Sequence, residues 1–68
     1  MPPESRLDLT RKLLEQNLRE IREWQARYKL AATTGDQTFA AAQINRHASA
    51  AARLEALEAT LTDERRAA

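Results

Sequence analysis

The chain has 68 residues, eleven Lys and Arg against ten Asp and Glu, a net charge of +1 and no cysteine. A domain this small buries only ~60% of the surface its unfolded chain exposes. Composition excludes disulfides and thiolate metal sites, the single histidine is too few for an ordinary zinc site, and the near-neutral balance lacks the basic excess of a dedicated nucleic-acid-binding arm.

At the start of the chain Pro2 and Pro3 favour extended backbone, and Ser5 with Asp8 three positions later resembles a capping box with Asp in place of Glu. The stretch MPPESRLDL has neither the basic start nor the apolar core of a signal peptide, and no apolar run is long enough to span a bilayer. The expected location is the cytoplasm, with no membrane partner. Helix 1 is expected over about residues 6–33, a stretch without Gly or Pro and rich in Leu, Arg, Glu, Gln, Lys and Ala.

The sequence TTGD at residues 33–36 then reads as a stop followed by a start. Gly35 is expected to close helix 1 in the left-handed conformation and Asp36 to cap helix 2, with the turn at 34–36. Helix 2 follows over about 37–62, and DERRAA is expected to fray. So short a link makes the helices antiparallel. The predicted fold is therefore all-α, a single helical-hairpin domain over residues 1–68.

Leu7, Leu14, Ile21 and Tyr28 recur every seven residues, with Arg11, Leu18, Gln25 and Ala32 interleaved. In helix 2 the corresponding sets are Ala40, His47, Leu54 and Leu61, and between them Ile44, Ala51 and Glu58. A fold at residues 34–35 sets Leu7 against Leu61 or Thr62, Leu14 against Leu54 and Arg11 against Glu58. Leu13, Trp24, Ala31, Ala50 and Leu57 flank this seam, and two helices cannot bury apolar stripes so wide. The expectation is a homodimeric four-helix bundle, with a higher oligomer or a different protein partner as alternatives. Its interface would draw on Leu7, Leu14, Leu18, Ile21, Trp24, Tyr28, Ile44, His47, Ala51, Leu54, Leu57 and Leu61.

The residues that could carry chemistry are few. His47 lies on the seam with no Asp or Glu three or four positions away, so it reads as structural or interfacial, and at an interface it would make association respond to pH between about 5 and 8. Glu15 with Arg19, Arg19 with Glu23 and Glu23 with Arg27 are surface pairs at helical spacing rather than acid–base machinery. No catalytic residue, metal ligand or cofactor is assigned. Nucleic acid is the alternative partner, because Arg19, Arg22, Arg27 and Lys29 accompany Trp24 and Tyr28 within eleven residues; phosphate contacts and base stacking need those residue types.

In length and heptad spacing the chain resembles the repressor-of-primer proteins of plasmids, a resemblance that implies a hairpin dimer recognising paired RNA loops. The run LAATTGDQTFAAAQINRHASAAARLEAL, through Gly35, Asp36, Ala40, Ala51 and Leu54, is similar to the helical hairpins of phage small terminase subunits. That likeness implies a phage or mobile-element origin and a role near DNA packaging. The function expected from the residues is a non-enzymatic oligomerisation or protein-interaction module; a nucleic-acid-binding regulator, and an inhibitor or adaptor docking on another protein, are the alternatives.

Overall fold

Ser5 precedes the first helix in extended conformation, and its side-chain oxygen accepts from the Asp8 amide at 3.1 Å. One of the four amides that a helix start leaves unpaired is thereby satisfied. The computed structural model describes residues 5–67, so the extended start expected at Pro2 and Pro3 lies outside the described residues. From this cap α1 runs over Arg6–Leu30 and closes with Ala31 extended (φ −66°, ψ 128°), whose N–H donates to Tyr28 O at 3.3 Å. Arg27 and Lys29 occupy the last turn, where cations complement the partial negative charge of the helix end.

Helix α2 runs over Thr34–Ala67. Its start repeats the chemistry of the first: the Thr33 hydroxyl accepts from the Asp36 amide at 3.1 Å, and Gln37 N–H donates to Thr33 O at 3.1 Å. Ser5-x-x-Asp8 and Thr33-x-x-Asp36 are thus the same device used twice. This corrects the expected turn. Thr33, not Asp36, is the cap, and Gly35 lies inside the first turn of α2 with no positive φ. The link moves three residues earlier, to 31–33, α1 ends three residues before 33, and α2 holds its helical form five residues beyond 62, through DERRA.

The two helices pack against each other as a hairpin about 52 Å long. In α2 the seam consists of Ala40, Ile44, His47, Ala51, Leu54, Glu58 and Leu61, the two alanines being buried and the rest half-buried. In α1 the repeating Leu7, Leu14 and Ile21 are buried or half-buried, but the interleaved positions are Thr10, Asn17, Trp24 and Ala31. Arg11, Leu18, Gln25 and Ala32, the expected set, are exposed, as is Tyr28. Polar side chains enter the seam where the backbone can satisfy them. Thr10 is only 4% exposed and its hydroxyl donates to Arg6 O at 2.6 Å; Asn17 Nδ2 donates to Leu13 O at 2.9 Å. Arg11 and Gln25 are too long for such local satisfaction, and Trp24 brings more apolar area than Leu18.

Candidate interaction surface

Side-chain contacts tie the helices together along their length. At the open end Arg11 Nε donates to Glu58 Oε2 at 3.3 Å, the pair expected from the folded register. At mid-length Asn17 Nδ2 is already committed to Leu13 O, which turns Oδ1 across the seam to accept from His47 Nδ1 at 2.9 Å. The histidine is thereby held with its proton on Nδ1. Near the link Trp24 and Phe39 meet edge to face, ring centroids 5.5 Å apart and planes at 71°, while the Arg27 guanidinium lies 4.5 Å from the Trp24 ring. The earlier link shifts the register, so Asn17 faces His47 rather than a residue five positions further on. Arg11 and Glu58 keep their pairing because both side chains are long.

The interior is thin. Buried apolar residues are Leu7, Ala40 and Ala51, and among the described residues no large side chain is fully enclosed. Much of the apolar surface instead faces outward, and it is not evenly shared. A groove of about 310 Å³ is lined by Trp24, Arg27, Leu30, Ala31, Asp36, Phe39 and Ala40. Seven-residue steps keep one azimuth along a seam of this kind, so each lining residue marks a column. Arg27 carries Glu20, Leu13 and Arg6 on its column, and Leu30 carries Glu23, Gln16 and Leu9. On α2, Asp36 shares a column with Gln43, Ala50, Leu57 and Glu64, and Phe39 with Arg46, Arg53 and Thr60.

One side of the hairpin therefore collects Leu9, Leu13, Leu30, Phe39 and Leu57, all exposed, with Leu30 at 85% and Phe39 at 57%. The opposite side, marked by a groove along Tyr28, Thr34, Gln37, Thr38 and Ala41, adds Leu18 and is otherwise polar or small. Large apolar residues thus lie at both ends of the first side, Leu9, Leu13 and Leu57 towards the open end and Leu30 and Phe39 towards the link, with charges between and beyond them.

Of the residues expected at an oligomer interface, Leu7, Leu14, Ile21, Trp24, Ile44, His47, Ala51, Leu54 and Leu61 belong to the seam within one hairpin. His47 has its recorded partner there, in Asn17. Leu57 is on the apolar side, while Leu18 and Tyr28 are exposed towards the other. Leu9 and Leu30 were not among the expected interface residues; Phe39, three residues past the expected turn, reads in the sequence either as a cap on the bundle end or as a protruding contact residue, and it stands 57% exposed. The basic set divides as well. Arg22 and Lys29, seven apart, share an azimuth with Arg19 nearby, whereas Arg27 is turned onto Trp24. Among the described residues no three His, Asp or Glu side chains gather as metal donors, and no helix is long and apolar enough to cross a membrane. Comparison with family models, curated proteins and solved structures finds no significant match to this chain.

Proposed function

We propose that this chain is a non-enzymatic self-association module, a helical hairpin whose work is to pair with another hairpin through an exposed apolar side. The observation that carries this reading is the exposure of Leu9, Leu13, Leu30, Phe39 and Leu57 along one side of a fold with almost no enclosed interior. A large apolar side chain contributes about 1.5–3 kcal/mol when it passes from water to full burial. Association of two such sides removes this exposure, which among the described residues nothing else covers.

A nucleic-acid reading draws on Arg19, Arg22 and Lys29 and on the half-exposed Tyr28. It is weakened by Trp24, the better stacking platform, whose ring is already in contact with Arg27 and with the Phe39 ring. Light scattering on the purified chain tests the choice. The expected mass is twice 7.7 kDa or a higher multiple, independent of added RNA or DNA. A helical species that stays at 7.7 kDa through the micromolar range overturns self-association, and a salt-sensitive shift on adding nucleic acid would favour the other reading.

A further inference from the structure

The apolar side also carries a charge pattern, and the pattern distinguishes the ways in which two copies can meet. Along α1, from the open end to the link, it reads Arg6, then Leu9 and Leu13, then Glu20 and Glu23, then Arg27. Along α2 over the same length it reads Glu64, then Leu57, then Arg53 and Arg46, then Asp36. Arg6 stands beside Glu64 at the open end, Glu20 is nearest in level to Arg46 at mid-length, and Arg27 stands beside Asp36 near the link, with Arg53 further towards the open end.

Two hairpins stacked face to face by a two-fold axis have two arrangements. With the axis along the helices, α1 of each copy lies over α2 of the other and both links sit at one end. Glu20 and Glu23 then approach Arg46 of the second copy, Arg27 approaches its Asp36, Arg6 its Glu64, and Leu9 and Leu13 meet its Leu57. With the axis across the helices, α1 lies over α1 in reverse. At full overlap Glu20 would then lie close to its own duplicate, and Arg46 would face its own. Like charges opposed across an interface are unfavourable and opposite charges fix register. We infer that this side binds a second copy of the chain with α1 over α2 and both links at the same end. The inference rests on the self-association reading and specifies its geometry.

The chain has no cysteine, so Ala32→Cys in the exposed link provides a unique attachment point for a spin label. Helices packed at ~8–10 Å spacing bring the two labels to within roughly 25 Å of each other when the links are at one end. Opposed links would separate them by about the hairpin length, 52 Å. A short distance is expected. A distance near the full length overturns the geometry while leaving self-association intact, and a monomeric mass with no inter-label distance overturns both.

A second arm uses charge. Glu20→Arg with Glu23→Arg, and separately Arg46→Glu with Arg53→Glu, are each expected to weaken self-association about tenfold or more at low salt. Mixing the two variants is expected to restore pairing to near the unmodified affinity, because each reversed helix then faces its complement. Failure of the mixture to recover overturns the geometry, and circular dichroism on each variant alone separates loss of pairing from loss of helix.

Discussion

The two broad sides of this hairpin are built from the same helices, yet they differ in what they leave in water. One carries Leu9, Leu13, Leu30, Phe39 and Leu57; the other carries Leu18 and Tyr28 among threonines, alanines and charges. Both flank the same seam, so the difference is not imposed by folding the hairpin. It teaches that the seam and the outer side answer separate demands: the seam mixes large apolar residues with small or locally satisfied ones that let the helices approach, while a further set of large apolar residues is left outward on one side.

Substitutions can break that contrast. The largest effect is expected from matched changes on the two sides. Leu13→Glu places a charge where the apolar side is to be covered and is expected to weaken self-association ~100-fold, about 2.7 kcal/mol, by sedimentation equilibrium. Leu18→Glu, of equal size and charge on the other side, is expected to change it by less than about threefold. Equal losses would mean that both sides are covered, or neither.

The next change leaves both sides alone and acts on the link that sets their common register. Thr33→Ala removes the side-chain acceptor of the Asp36 amide and is expected to lower thermal stability by about 1 kcal/mol. The smallest effect has the opposite sign. Gly35 is helical, and a Cβ built on it would meet only the Thr33 hydroxyl, at 3.9 Å, so Gly35→Ala is expected to raise stability by about 0.5 kcal/mol. A large destabilisation by alanine there would restore glycine to the special turn position the sequence assigned it.

The helix count, the antiparallel hairpin, the Ser5 cap, the Arg11–Glu58 pair and the whole α2 seam were legible from spacing and composition. Half of the α1 seam was not. A seven-residue repeat of Leu7, Leu14 and Ile21 is compatible with a second set either three or four positions on, and hydrophobicity ranks Leu18 above Asn17. What decides for Asn17 is a hydrogen bond across to His47 and another back to Leu13, neither visible in a linear pattern. The turn misled for a related reason. Gly followed by Asp reads as stop and start, but an upstream threonine can cap three residues earlier, and its hydroxyl offers Asp36 the same amide acceptor that Ser5 offers Asp8. On the outer side, Leu9, Leu30 and Phe39 could be assigned to one face only after the link length had fixed how the helices are rotated.

The three-residue link also sets an order of assembly in time. Trp24 and Phe39 are joined by a short loop of chain, Asn17 and His47 are 30 residues apart, and Arg11 and Glu58 are 47 apart. Each doubling of the loop adds about 0.6 kcal/mol to the entropy of closure, so the aromatic contact forms at the lowest cost and the others zip outward from it. Fraying runs the other way. The ends that carry Leu9, Leu13 and Leu57 open first, and the hairpin comes apart from the end at which its apolar side begins.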